Sequence, residues 1–204
     1  VNNCMMRPHN GRPLPLDSQE MVAFLSYFRW INTFVPKDKP LKGAKNLHLD
    51  FPDVAANPVH GQALFQENCA RCHGPNGEGQ WNADKSTYVY PPLWGSNAYQ
   101  PGSSMHRIIK QAEWLKSNMP FDKAIPGKPF LTDQQALDIA AFVNSDEIHT
   151  RPNPKSFDYP HPAEKAIDYD KPPFADTFSV AQHKFGPFKP IISYWQEKGM
   201  KPSL

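Results

Sequence analysis

Apolar side chains recur at helical spacing in the segment "VHGQALFQENCARC", which follows Asn57 and Pro58. Asparagine is a favoured N-cap residue, and proline is favoured at the first position of a helix. The pattern therefore predicts a helix that starts directly after Asn57, with Gly61 and Phe65 one turn apart on the same face.

A second helical pattern occurs in the segment "LTDQQALDIAAFVNS", where Thr132 and Gln135 have the spacing of a capping box. Its apolar positions fill one broad helical face, and they are Leu137, Ile139, Ala140, Ala141, Phe142 and Val143. The segment is therefore predicted to form a helix that buries this face.

The first helix leads into a C-x-x-C-H motif formed by Cys69, Cys72 and His73. This motif is the attachment signature of c-type haem, because two thiols add to the porphyrin and the imidazole reaches the iron. A zinc site is a weaker alternative, since zinc needs four ligands and no second pair of ligands follows at suitable spacing. A redox disulfide is also weaker, since a thioredoxin-like site follows a strand rather than a helix.

A helix that carries haem, a loop and a closing helix are together typical of a class I cytochrome c domain. The resemblance covers residues 57–146 and favours an all-α fold. It implies that Gly61 and Phe65 cross the last helix near Ala140 and Ala141.

The sixth ligand of this haem is predicted to lie between the two helices, where Met105 and Met119 are the candidates. Met119 is favoured because it precedes a proline shortly before the closing helix. A thioether ligand favours reduced iron and raises its potential. Met105 has core packing as its alternative role, and Asn118 adjoins the favoured ligand and could tune it.

A third helical segment, "LDSQEMVAFLSYFRW", repeats the pattern of the closing helix. Leu16 matches Leu131 at an offset of 115 residues, and Asp17 and Glu20 then take the capping-box spacing. Under the same offset Cys4 falls on the position of Met119.

The repeat predicts that residues 1–34 are the C-terminal part of a first cytochrome c domain, with a closing helix from about Asp17 to Phe34. Cys4 would then ligate a second haem, whose attachment motif lies outside this chain. Cys4 has two alternatives, as a small buried apolar side chain or as a free thiol. Met5 and Met6 are alternative ligands one register away.

The composition of the 204-residue chain predicts how the segments outside the helices are organised. With 23 prolines and 12% aromatic residues in the chain, residues 147–204 are predicted to be an extended arm that wraps the domains. Residues 35–56 are predicted to be a linker, in which Lys37, Lys39, Lys42 and Lys45 are solvated rather than a binding patch. The net charge of +2 gives no indication of nucleic-acid binding. No run reaches the roughly 18 apolar residues of a membrane helix. The first residue is Val, which predicts a processed or incomplete N-terminus.

Four stretches, "CMMRPHNGRPLPLDSQEM", "YPPLWG", "NMPF" and "AQHKFGPFKPI", resemble the dihaem thiosulfate dehydrogenases, also described as tetrathionate reductases. The resemblance implies that two thiosulfates are joined oxidatively to tetrathionate with release of two electrons. It implies an active haem with a His/Cys ligand pair that includes Cys4. It also implies an exit haem with His73 and Met119 as ligands. The chain departs from the family in lacking the first haem motif, and Asn118 stands where some members have Lys.

The residues around Cys4 suit this chemistry, because joining two dianions requires nearby positive charge. Arg7 and Arg12 carry guanidinium groups that match oxyanions, and Asn10 could add a neutral donor. An ordinary exposed arginine is the alternative for Arg12. The resulting hypothesis is a periplasmic enzyme that passes electrons to a soluble c-type cytochrome or similar acceptor, and the alternative is an electron-transfer subunit without its own substrate.

Overall fold

A computed structural model describes residues 1–6, 9, 11–37, 39, 41, 45–125, 127–153, 162–202 and 204. The described residues form eight α-helices: α1 (Asn2–Met6), α2 (Gln19–Asn32), α3 (Pro58–Asn68), α4 (Ala70–His73), α5 (Ile108–Asn118), α6 (Asp133–Val143), α7 (Val180–Phe185) and α8 (Lys189–Glu197). Two short 3-10 helices span Ser104–His106 and Pro162–Glu164. The predicted helix-rich fold is confirmed.

A short antiparallel hairpin lies between α4 and α5. It pairs β1 (Gln80–Trp81) with β2 (Tyr88–Tyr90), and the rings of Trp81 and Tyr88 stack with centroids 3.7 Å apart. Strands of two and three residues are too short to show an alternating pattern, so they could not be predicted from the sequence.

The centre of the fold is the crossing of α3 and α6. Asn57 caps α3 by accepting from Val59 N at 3.0 Å, and Thr132 and Gln135 form the capping box that the sequence predicted for α6. Phe65 is fully buried, and its ring lies 5.5 Å from that of Phe142. Both helix starts therefore follow from local sequence, and burial of their apolar faces holds them together.

Gly61 lies where the backbones of α3 and α6 approach closely. A Cβ at this position would stand 1.9 Å from the carbonyl oxygen of Asp138 and 3.0 Å from Ile139 N. Gly61 thus contacts Asp138 and Ile139 while Phe65 contacts Phe142, and these contacts lie on either side of Ala140 and Ala141.

We expect Gly61→Ala to destabilise the protein by about 3 kcal/mol, because the added methyl group forces α3 away from α6. Denaturant unfolding of the holo-protein measures this change. Val59→Ala is the matched control, since Val59 lies on the same helix and is 76% exposed. Equal stability of the two variants would contradict the close approach.

Helix α5 was not predicted from the sequence, although it packs on α6 and leads directly to Met119. Its buried residues Ile108, Ile109 and Ala112 follow helical spacing. The N-cap residue Arg107 provides no side-chain cap, so the usual start signal is missing.

Helix α2 is shorter than the predicted Asp17–Phe34 span. Ser18, rather than Asp17, is the N-cap, and its Oγ accepts from Met21 N at 3.2 Å. Met21 is the buried residue of this helix. Large apolar side chains elsewhere on α2 are exposed, and they are Val22, Phe24, Leu25, Tyr27, Phe28 and Trp30. Helix α2 therefore presents an apolar surface to solvent.

Segments on both sides of the α3–α6 unit pack onto it. In the linker, Leu49 is buried and Phe51 lies edge-on to Phe188 with centroids 5.8 Å apart. Ala56 N donates to the Phe185 carbonyl at 2.7 Å. The C-terminal half of the linker therefore packs onto the α3–α6 unit.

The C-terminal arm is anchored by a buried histidine in α7. His183 Nδ1 lies 2.8 Å from the Ile167 carbonyl, and Nε2 lies 2.9 Å from Asp176 Oδ1. The imidazole also stacks on Phe174 with centroids 3.9 Å apart. These contacts fasten α7 to the preceding part of the arm.

Candidate haem site

The C-x-x-C-H motif begins at the junction of α3 and α4 and continues through α4. Cys69 ends α3 and precedes α4, and its carbonyl accepts from Cys72 N at 3.1 Å and from His73 N at 3.0 Å. Both thiols are free and partly buried. The turn thus brings two thiols and one imidazole together within a single helical turn.

Burial, together with the nearby Cys72, raises the pKa of Cys69 to about 11, against a lowering by Arg71. A thiol with this pKa is protonated at neutral pH.

His73 is held with one ring nitrogen available for a metal. Its Nδ1 lies 2.9 Å from the Pro91 carbonyl oxygen, which can only accept, so Nδ1 carries the proton and donates. Nε2 then keeps its lone pair, as an axial imidazole ligand requires. Pro91 belongs to the stretch "YPPLWG", but its role was not predicted because a backbone carbonyl leaves no signal in the sequence.

Met119 is the C-cap residue of α5, where the backbone turns extended and the side chain is partly buried. Met105 is also partly buried and lies in the 3-10 helix Ser104–His106. Its backbone carbonyl accepts a hydrogen bond from Asn144 Nδ2 at 3.1 Å. Asn118 Nδ2 donates to the Trp114 carbonyl at 3.0 Å, so its amide is bound to the helix that precedes Met119.

Two contacts join the loop after Met119 to the C-x-x-C-H turn. Arg71, between the two cysteines, forms an ion pair with Asp122. Lys123 Nζ donates to Asn68 Oδ1 at 3.4 Å, directly before Cys69. The loop that follows Met119 therefore lies beside the C-x-x-C-H turn.

The donor set fits a covalently attached haem. Two thiols, an imidazole with a free Nε2 and a thioether are the groups that a c-type haem requires. Leu93, Leu115 and Cys69 pack against the hydrophobic core while remaining partly exposed. Within the described ranges, no three His, Cys, Asp or Glu side chains are grouped to hold a metal ion.

Of the residues predicted to form the site around Cys4, the structure describes Cys4 and Arg12. Cys4 is exposed and lies within the helical turn of α1. This differs from Met119, which has an extended backbone, so the repeat is not reproduced in local conformation. Arg12 is exposed, and Arg7 and Asn10 lie outside the described residues.

Comparison with known proteins supports the haem site directly, since residues 58–146 match the cytochrome c family model. Residues 58–146 form a cytochrome c domain. This confirms the expectation of haem c for the domain that carries Cys69, Cys72 and His73.

The chain is homologous to thiosulfate dehydrogenases along most of its length. It is 37% identical to the thiosulfate dehydrogenase of Psychrobacter arcticus over 142 residues, covering 70% of this chain and 42% of the relative. It is 34% identical to that of Allochromatium vinosum over 152 residues, covering 74% of this chain and 53% of the relative. The predicted resemblance is confirmed.

The fold agrees with a solved structure of the same kind. Thiosulfate dehydrogenase (TsdBA) from Marichromatium purpuratum matches with a TM-score of 0.67 and 31% identity, covering 85% of this chain and 36% of that chain.

The chain spans between 42% and 53% of the length of the two curated relatives named above. Where the structure describes the chain, none of its helices combines the length and the apolar character that a membrane span requires.

Proposed function

We propose that this chain belongs to a thiosulfate dehydrogenase that joins two thiosulfates into tetrathionate. The observation that carries the proposal is the identity of 32% to 37% with four thiosulfate dehydrogenases, combined with a haem donor set in the matched region. In the reaction a sulfur–sulfur bond forms between the two substrates, and two electrons leave to an acceptor. The reverse reaction, reduction of tetrathionate, uses the same groups.

Cys69 and Cys72 would hold the haem of the cytochrome c domain through two thioether bonds. His73 Nε2 and Met119 Sδ would be its axial ligands, which is supported by the Pro91 hydrogen bond and by the Arg71–Asp122 contact beside Met119. A haem with this ligand pair supplies one-electron transfer at a raised potential. This domain would therefore serve as the exit for electrons.

Cys4 would be the sulfur ligand of a second haem, with an attachment motif outside this chain. The exposed apolar side chains of α2 support this proposal, because such a surface is usually covered by a partner or a neighbouring domain. Residues 1–34 would then close the domain of that second haem. A cysteine sulfur can also bond to a substrate sulfur, which a methionine cannot do in this way.

Positive charge near Cys4 would offset the repulsion between two dianionic substrates. Arg12 is exposed and so is accessible to a solvated anion. We assign the same role to Arg7, with Asn10 as a neutral donor. The enzyme would work in the periplasm, where c-type haem is attached in bacteria, and would deliver electrons to a soluble c-type cytochrome or similar acceptor.

A direct assay of the full-length protein tests the function. Purified protein is mixed with thiosulfate and oxidised cytochrome c, and we expect one tetrathionate and two reduced acceptors for every two thiosulfates consumed. Sulfite replaces thiosulfate as the control. Haem that is reduced by a chemical reductant but never by thiosulfate would instead identify an electron-transfer subunit without its own substrate.

A further inference from the structure

A short segment beyond the cytochrome c match, His149–Arg151, contacts the loop of residues 91–95 on the His73 side of the haem site. The match ends at residue 146, and His149–Arg151 follows it. His149 stacks on Trp94 with ring centroids 3.8 Å apart and planes at 12°. Gly95 N donates to the Thr150 carbonyl at 2.7 Å. Three successive residues of this segment therefore face one loop, residues 91–95.

Arg151 adds the third contact. Its Nη1 donates to the Leu93 carbonyl at 2.8 Å, and its Nη2 donates to the Val143 carbonyl at 2.6 Å and to Asn144 Oδ1 at 2.9 Å. The guanidinium lies over the ring of Tyr99 at 4.2 Å. One buried side chain thus links the end of α6 to the loop, using neutral acceptors.

The same loop carries the carbonyl that orients His73. Pro91 O accepts from His73 Nδ1 at 2.9 Å, two residues before the Leu93 carbonyl that Arg151 binds. Residues 91–95 therefore lie between His73 on one side and His149–Arg151 on the other. Any shift of this loop moves the Pro91 carbonyl relative to the imidazole.

Burial makes these contacts persistent. His149 and Arg151 are each 7% exposed, and Phe142 packs edge-on to His149 with centroids 4.8 Å apart. Burial also lowers the pKa of His149, so its ring is neutral at neutral pH and acts by packing. Hydrogen bonds from a charged donor in a buried site are among the stronger ones in proteins.

We propose that His149–Arg151 is a positioning element for His73, acting through residues 91–95 to keep the Pro91 carbonyl on Nδ1. The proposal rests on ligation of haem by His73 but not on thiosulfate as the substrate. A hydrogen bond to the distal nitrogen of a metal-bound imidazole fixes its orientation and increases its basicity. Loosening the segment therefore raises the reduction potential of this haem, because a less basic imidazole stabilises oxidised iron less.

Exchange of the His73 Nδ1 proton in the holo-protein tests the proposal. We expect His149→Ala and Arg151→Lys each to speed this exchange about tenfold, as measured by NMR in deuterated water. The potential, measured by spectroelectrochemical titration, should rise in the same variants. Arg151→Lys keeps the positive charge, so a changed potential in that variant does not come from a change of charge.

His183→Ala is the matched control, because His183 is also a buried histidine stacked on an aromatic ring but contacts the arm instead. We expect it to lower stability while leaving the exchange rate and the potential at wild-type values. His149→Phe keeps a ring against Trp94 and should restore both quantities. Equal acceleration in His183→Ala, or wild-type exchange in Arg151→Lys, would overturn the proposal. A protein without a covalent haem spectrum would contradict the haem assignment instead.

Discussion

Replacing Cys4 with glycine in the full-length protein is expected to abolish thiosulfate-dependent reduction of the acceptor, lowering turnover roughly a thousandfold or more. The change removes the sulfur that would ligate the second haem and bond to a substrate sulfur. A thiolate ligand donates charge to iron and lowers its potential, and no neighbouring side chain supplies the same group. Steady-state reduction of cytochrome c by thiosulfate measures the effect.

Two further variants separate the possible roles of Cys4. Cys4→Met keeps a sulfur ligand but cannot form a bond to substrate as a thiolate, so we expect haem ligation to persist while turnover is lost. The double variant Met5→Leu/Met6→Leu should keep most of the activity, because these residues are not predicted to be the ligands. Full turnover in Cys4→Gly would show that Cys4 takes no part in the mechanism. Loss of activity in Met5→Leu/Met6→Leu but not in the Cys4 variants would identify Met5 or Met6 as the ligand instead.

Removal of both attachment thiols, by Cys69→Ala/Cys72→Ala, is expected to eliminate covalent haem from the cytochrome c domain. No thioether bond can then form, and the porphyrin can be extracted into acidic organic solvent. We also expect a lower unfolding temperature, because the haem would cover apolar side chains such as Leu93 that are partly exposed in the protein chain alone.

A haem count on the denatured, extracted polypeptide measures this outcome. The full-length variant should lose one haem per chain, whereas Cys4→Gly should keep the wild-type number, since Cys4 is a proposed ligand and not an attachment site. An unchanged count in the double variant would mean that C-x-x-C-H does not attach haem here. Both thiols are free and partly buried, so the variant does not disturb a disulfide.

Local signals predicted the parts of the fold that depend on neighbouring residues. Asn57 and Thr132 have side chains that bind the first turn of their own helices, so both helix starts were readable in the sequence. Ser18 and Asp17 are both good caps, and which one serves depends on where the chain enters α2. Sequence spacing alone could not separate them.

Long-range contacts account for what was not predicted. The Pro91 carbonyl that accepts from His73 is a backbone group with no signature of its own. The Arg71–Asp122 pair joins residues that are distant along the chain, so only the folded structure shows that the loop that follows Met119 lies beside the C-x-x-C-H turn. The roles of Arg7 and Asn10 stay predictions, because both residues lie outside the described part of the chain.

The packing of Leu49, Phe51 and Ala56 on the cytochrome c domain has a practical consequence for recombinant work. A fragment that starts at Asn57 would leave Phe188 without its aromatic neighbour and the Phe185 carbonyl without its donor. A fragment from residue 45 to the C-terminus keeps these contacts and omits the exposed apolar side chains of α2. Such a trimmed polypeptide is the better starting material for isolating the cytochrome c domain.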